Sequence, residues 1–130
     1  MSNLLILGLG GFLGAISRYL LSDYVQNLFR QTNFPYGTLA VNILGCFVLG
    51  LLTHAAGARG LLDAQTRLFL MVGFVGAFTT FSTFGYETLR FIQDGAWGLA
   101  IGNTLLNVIL GLGMVFLGFV LGRVLTGGAA

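Results

Sequence analysis

Long apolar segments separated by short polar connections make up the chain. Four of them, at residues 4–21, 37–56, 68–91 and 99–121, are each about as long as a helix that crosses the hydrocarbon core of a bilayer. The connections are too short to hold a soluble domain. The pattern predicts an all-α membrane protein whose residues 1–130 form a single four-span transmembrane domain.

Composition supports this prediction and excludes one class of partner. Hydrophobic residues make up 56% of the chain and charged residues only 8%, whereas a soluble domain carries about a quarter charged residues. The six basic residues are all arginines and lie scattered along the chain. No run of basic residues is available to bind phosphates, so we expect no nucleic-acid partner. Membrane lipid is the expected surrounding of the protein.

The third segment contains the most unusual stretch, GFVGAFTTFSTFGYE at residues 73–87. Thr79, Thr80, Ser82 and Thr83 place four hydroxyl groups within five positions at membrane depth, and β-branched threonine weakens a helix. The stretch predicts a helix broken near its centre, which is tolerated only inside protein or beside a wet cavity. The alternative is a continuous helix whose hydroxyls bond back to the preceding turn.

Glycines give the first segment a face almost free of side chains. Gly10 and Gly14 have the spacing of small residues that let two membrane helices approach closely. The sequence predicts a tight interface there, with a partner either in this chain or in another copy.

Neutral polar residues recur at positions that helical spacing brings onto common faces. Thr38 and Asn42 lie one turn apart on the second span, and Asn103 and Asn107 lie one turn apart on the fourth. Together with the hydroxyl groups of the third segment, they predict a hydrogen-bonding track through the membrane. The alternative is that these residues hold helices together.

Phenylalanines recur every three residues beside this track, at Phe78, Phe81 and Phe84. Such a stripe usually packs against other helices. An aromatic ring also has a positive edge, so ring edges beside a polar track are suited to solvate an anion. Neutral, weak donors allow a small anion to leave as well as to bind.

Two charged residues, Arg18 and Glu87, lie near the ends of the segments. Arg18 either snorkels to the membrane surface or lines a vestibule that attracts anions. Glu87 lies near the membrane boundary, where Arg90 at i+3 is its expected partner.

The arginines show no bias between the two sides of the membrane. Orientation normally follows an excess of basic residues on the cytoplasmic side. A chain without this excess is expected to insert in both orientations and to pair head to tail, as a dual-topology dimer. The arginines divide three against three: Arg59, Arg67 and Arg123 on the side of the termini, and Arg18, Arg30 and Arg90 on the other.

No pattern in the chain is typical of catalysis. There is no nucleophile–base pair, zinc motif or phosphate loop, and the single cysteine excludes an internal disulfide. We therefore predict that the protein is not an enzyme. Two other kinds of membrane protein are alternatives. A multidrug exporter would need an acidic residue deep in the first segment, which has none. A scaffold subunit of a larger complex would not need the hydroxyl-rich stretch.

Three stretches closely resemble the Fluc/CrcB family of fluoride channels. They are GTLAVNILG at residues 37–45, the hydroxyl-rich stretch at residues 73–87, and GxxxR at residues 14–18. The resemblance implies a channel that passively exports toxic fluoride across the bacterial inner membrane. It also implies an antiparallel, dual-topology homodimer with two pores, and a sodium ion at its centre held by the backbone carbonyls of Gly76 and Thr79.

The resemblance also suggests roles for individual residues. Asn42 matches the pore asparagine of the family, and Phe81 and Phe84 match its two ring-edge phenylalanines. Arg18 matches a vestibule arginine, and Glu87 matches the acid that closes the motif of the third helix. On the fourth span, Asn107 stands where relatives often have serine, and Asn103 where they have an aromatic residue. We expect an ion pathway formed by Arg18, Thr38, Asn42, Phe81, Ser82, Thr83, Phe84, Glu87, Asn103 and Asn107.

Overall fold

The structure, a computed structural model, describes residues 2–57 and 62–125. Within these residues the chain is helical without a strand, and it contains four helical stretches long and apolar enough to cross a membrane. This confirms the predicted all-α class and the number of spans. Arg59, counted above on the side of the termini, lies outside the described residues. The helical elements are α1 (Ser2–Leu28), α2 (Tyr36–Gly57), α3 (Ala64–Arg67), a π-helix (Leu68–Val75), α4 (Gly76–Phe78), α5 (Phe81–Gln93) and α6 (Trp97–Leu125).

The first helix is longer than its apolar segment. It continues beyond Leu21 to Leu28, because polar residues end a hydrophobic segment without ending a helix. Gln26, on this extension, joins α1 to the start of α2. Its Nε2 donates to the Phe34 carbonyl (3.1 Å), and its Oε1 accepts from the Gly37 N–H (3.1 Å).

The glycine face of α1 packs on the third span of the same chain. A Cβ added at Gly10 would lie 2.5 Å from the Phe69 carbonyl oxygen, and one at Gly14 would overlap the Phe74 carbonyl. The predicted close approach is therefore present, and the partner of α1 is the third span of the same chain.

The most extensive helix contact joins α2 to α6. At Gly118, a Cβ would overlap the carbonyl oxygen of Phe47, so the two backbones touch there. This close packing brings Asn42 on α2 beside Asn107 on α6. The outer surface of α6 is apolar, with Leu112 69% and Phe116 70% exposed, as suits lipid or a second copy.

The third span is built from α3, the π-helix, α4 and α5. Asp63 caps its start by accepting a hydrogen bond from the Thr66 N–H (2.8 Å). Hydrogen bonding to the side chain and then to the backbone N–H of Thr66 holds the pKa of this exposed carboxyl below its usual value. No sequence pattern predicts the π-helix that follows. π-Helical turns within membrane or soluble helices are frequent at functional sites, and this one directly precedes the hydroxyl-rich stretch.

Candidate functional site

The helical geometry of the third span is interrupted at two neighbouring threonines. Thr79 (φ −89°, ψ 158°) and Thr80 (φ −148°, ψ 105°) are both extended. The Thr79 N–H completes the last bond of the preceding helix, to the Val75 carbonyl (3.1 Å). Thr80 is the N-cap of α5, because its Oγ1 accepts from the Thr83 N–H (3.2 Å). We call this pair the threonine interruption. The third span as a whole bends only slightly, so the predicted break of the helix stays a prediction.

The carbonyls of Gly76 and Thr79 are among those that lose their regular helical donors at the threonine interruption. In an unbroken α-helix, each N–H donates to the carbonyl four residues earlier. The Thr80 N–H would reach Gly76 but donates to Asn42 Oδ1 instead (2.8 Å). The Thr83 N–H would reach Thr79 but donates to the Thr80 hydroxyl oxygen. The carbonyls of Gly76 and Thr79 therefore lose these two donors to side chains.

Asn42 holds the interruption in place. Its Oδ1 accepts from the Thr80 N–H (2.8 Å), and its Nδ2 donates to the Thr80 carbonyl (3.3 Å). A single side-chain amide thus pairs with both backbone groups of one extended residue, as a neighbouring strand would. The same Nδ2 also donates to Oδ1 of Asn107 (2.9 Å), so both of its hydrogens are engaged.

Hydrogen bonds continue from Asn42 along α6. Asn107 Nδ2 donates to both the side-chain oxygen and the backbone carbonyl of Asn103, at 3.0 Å each. Asn103 Nδ2 donates to Thr88 Oγ1 (2.9 Å), which donates to the Phe84 carbonyl (2.9 Å). The predicted common face of Asn103 and Asn107 is confirmed. Thr88 was not predicted, because its only signal in the sequence is a hydroxyl group one turn after Phe84.

The two phenylalanines predicted to act alike differ in exposure. Phe81 is 82% exposed, whereas Phe84 is 8% exposed. Their rings meet edge to face, with centroids 5.3 Å apart and planes at 64°. Phe84 is therefore held inside the chain, while most of the Phe81 ring stands on its surface.

An inner cavity of about 280 Å³ lies on one side of the threonine interruption. Asn42, Thr80, Phe81, Phe84 and Asn107 are among its lining residues, and all of its lining residues are neutral. The polar groups here are amides and hydroxyls, and the remainder of the wall is largely apolar.

An outer cavity of about 560 Å³ lies on the other side. Its wall includes Arg18, Thr38, Thr83 and Glu87, together with Thr80, which also lines the inner cavity. Thr80 is therefore the residue at which a charged cavity and a neutral, mostly apolar one meet.

Glu87 has a different partner from the one expected. Thr38 Oγ1 donates to its Oε1 (2.6 Å), while its Oε2 is buried without a hydrogen-bond partner among the described residues. The expectation of an Arg90 partner was therefore wrong: α2 packs close enough to supply the hydroxyl of Thr38 instead.

Two of the predicted pathway residues lie apart from both cavities. Asn103 is completely buried and lines neither of them. Ser82 is exposed, with its hydroxyl oxygen 3.4 Å from that of Thr80, and it also lines neither. The remaining predicted side chains lie around one cavity or the other, and the role of each in an ion pathway stays a prediction.

Comparisons with known proteins agree on one family. Residues 5–119 match the family described as CrcB-like protein, Camphor Resistance (CrcB). The chain is 49% identical over 125 residues to a fluoride-specific ion channel FluC of Dehalococcoides mccartyi (strain CBDB1), covering 96% of this chain and 95% of the relative. It is 47% identical over 118 residues to the protein of the same name from Shewanella frigidimarina, covering 91% and 94%. Fluoride-specific ion channel FluC 3 of Methanosarcina barkeri is 44% identical over 118 residues, covering 91% and 88%.

The fold and the site define a multi-pass, all-helical membrane protein in which neutral hydrogen-bonding groups surround an interrupted span. The chain belongs to the CrcB family, whose relatives above are named FluC, as the three matching stretches predicted. This is a family of channels rather than enzymes, which confirms the prediction that the protein is not an enzyme.

Proposed function

We propose that this protein is a channel that passes fluoride passively across the membrane, by way of the threonine interruption. The observation that carries the proposal is the position of Thr80, which borders both the outer cavity and the neutral inner cavity. The names of the relatives, all fluoride-specific ion channels, support fluoride as the ion.

The chemistry of the two cavities suits a small anion. The wall of the outer cavity holds one basic residue, Arg18, beside the acidic residues Asp23 and Glu87, and Arg18 is the group in it that would attract an anion from water. Past Thr80, the inner cavity offers amides, hydroxyls and ring edges, which replace water without the strong attraction of a full positive charge. Conduction needs this combination, because the ion must leave as readily as it enters.

A second, antiparallel copy would complete the pathway. Phe81 and Gly76 are exposed on the single chain beside the threonine interruption, and a bare aromatic ring next to polar cavities is suited to a partner. The even division of the arginines favours insertion in both orientations, and two copies related by a two-fold axis would carry two equivalent pores.

The same geometry fits a sodium ion between the two copies. The carbonyls of Gly76 and Thr79 lose their regular donors to Asn42 and Thr80. Two such carbonyls from each copy would supply four neutral oxygens, which are suitable ligands for a hard cation. A cation bound there would hold the two interruptions together.

The physiological role we propose is the export of toxic fluoride from the cell, across the inner membrane in a bacterium. A passive channel can perform this role because fluoride accumulates inside when hydrogen fluoride enters from acidic surroundings and dissociates in a more neutral cytoplasm.

Purified protein in liposomes provides the test. With fluoride inside, valinomycin present and no proton gradient, a fluoride electrode should record rapid release. Release that appears only when a proton gradient is imposed would indicate a proton-coupled transporter and contradict the proposal. In cells that lack their own fluoride exporters, expression should restore growth in fluoride medium, and failure of an inserted, conducting protein to do so would contradict the export role.

A further inference from the structure

The three asparagines Asn42, Asn107 and Asn103 form one continuous row of side-chain amides between α2 and α6. Each accepts a hydrogen bond through its Oδ1 and donates through its Nδ2 to the next partner, at distances of 2.8–3.0 Å along the row. We call this row, with Thr88 at its end, the asparagine row.

The two ends of the asparagine row fix its direction. It starts at the Thr80 N–H, which can only donate, and it ends at the Phe84 carbonyl, which can only accept. Since Thr88 uses its hydroxyl hydrogen for Phe84, it must accept from Asn103. Reversing any one amide in the row would set two donors or two acceptors against each other.

Asn103 acts in this row without access to either cavity. It is completely buried, and its Oδ1 and backbone carbonyl hold both hydrogens of the Asn107 Nδ2. Asn107 is thereby turned so that its Oδ1 faces the Nδ2 of Asn42. Asn42, in turn, is oriented to pair with both backbone groups of Thr80.

We propose that Asn103 is a positioning residue for the fluoride pathway: together with Thr88, it sets the orientation of the Asn107 and Asn42 amides and so stabilises the extended backbone of Thr80. The expected effect of Asn103 on flux rests on the proposed function, but its effect on the backbone of Thr80 does not depend on the transported ion. In this role Asn103 does not contact the ion, although the sequence had placed it among the residues of the ion pathway.

The first test uses a position remote from Asn103 as the readout. In Asn103→Leu, the exchange of the Thr80 N–H with deuterium, followed by NMR in micelles, should accelerate about three- to tenfold, because the Asn42 partner of this N–H is less firmly held. The amide of Val115, at the α2–α6 contact, should exchange at an unchanged rate. An unchanged Thr80 rate in folded protein would overturn the proposal.

A conservative variant covers the case in which Asn103→Leu does not fold. Thr88→Val keeps the shape of the side chain and removes only the hydroxyl that accepts from Asn103, and it should accelerate Thr80 exchange about two- to threefold. The matched control is Thr104→Val, since the Thr104 hydroxyl donates only within its own helix, to Ala100 (2.9 Å). Equal effects of Thr88→Val and Thr104→Val would overturn the proposal.

Fluoride flux provides the functional arm. Asn103→Leu should reduce passive fluoride release about three- to tenfold, and Asn103→Leu combined with Asn42→Ala should be no slower than Asn42→Ala alone. Independent effects that multiply would contradict a role through Asn42. If the wild-type protein released no fluoride, the proposed function would fail, while the exchange rate of Thr80 would still decide the positioning role.

Discussion

Asn42 makes three hydrogen bonds beside the threonine interruption, so its replacement should have the largest effect. Replacing Asn42 with alanine removes all three and leaves the Thr80 N–H and the Asn107 Oδ1 without partners. At about 1–3 kcal/mol for each buried group left unsatisfied, the free energy of unfolding should fall by about 2–6 kcal/mol. Fluoride flux should fall with it, because the extended backbone of Thr80 loses its support.

Asn42→Asp separates the effect of charge from the loss of hydrogen bonds. The carboxylate can still accept from the Thr80 N–H, but it cannot donate to the Thr80 carbonyl or to Asn107. When ionised it also repels an approaching anion by about 4 kcal/mol at 4 Å and an effective dielectric constant of about 20, which corresponds to about a thousandfold in rate. Flux through Asn42→Asp should therefore fall below that through Asn42→Ala.

The assay is fluoride release from liposomes, with the monodispersity of the protein in detergent and its thermal unfolding midpoint as measures of folding. Asn3→Asp is the matched control, because it makes the same change at an exposed position near the start of α1, where a negative charge is tolerated. If the ionised Asp variant conducted at the wild-type rate, Asn42 would not lie beside the ion pathway.

Three further predictions test other parts of the account. Phe81→Ile removes a ring edge but keeps apolar bulk, so flux should fall by about tenfold or more in folded protein. Phe116→Ile, on the outer face of α6, is the control and should have no effect. Unchanged flux in Phe81→Ile would remove this ring from the pathway. Gly14→Leu should lower the free energy of unfolding by about 3 kcal/mol or more, because α1 touches the Phe74 carbonyl at this position. Gly8→Leu should be tolerated, since a side chain there meets nothing within 4 Å. Equal stability of the two variants would show that α1 does not pack as described. A reactive tag at the C-terminus should be labelled from both faces of the membrane, and labelling from only one face would contradict dual topology.

The sequence predicts the spans well because each is a continuous apolar segment, a signal that does not depend on distant contacts. The glycine face of α1 was similarly evident, since Gly10 and Gly14 have a spacing typical of close packing. Its partner was not, because the third span meets α1 only in the folded chain. The helical extension to Leu28 was missed because polarity marks the end of a membrane segment, not the end of a helix.

The site was predictable in its components but not in its connections. Threonines and asparagines at membrane depth marked the correct region, but the bonds of Asn42 to Thr80 and Asn107 join residues 38 and 65 positions apart. Such pairs depend on the packing of α2 against both the third span and α6, which has no local signature. For the same reason the sequence favoured Arg90, on the same helix as Glu87, over the more distant Thr38.

In the channel that we propose, neutral donors around the threonine interruption replace the water around a small anion. The most direct test is the ratio of fluoride to chloride release from the same liposomes, measured with the purified wild-type protein and no proton gradient. The account predicts rapid loss of fluoride and retention of chloride. Release of both ions at similar rates, or of neither, would contradict it.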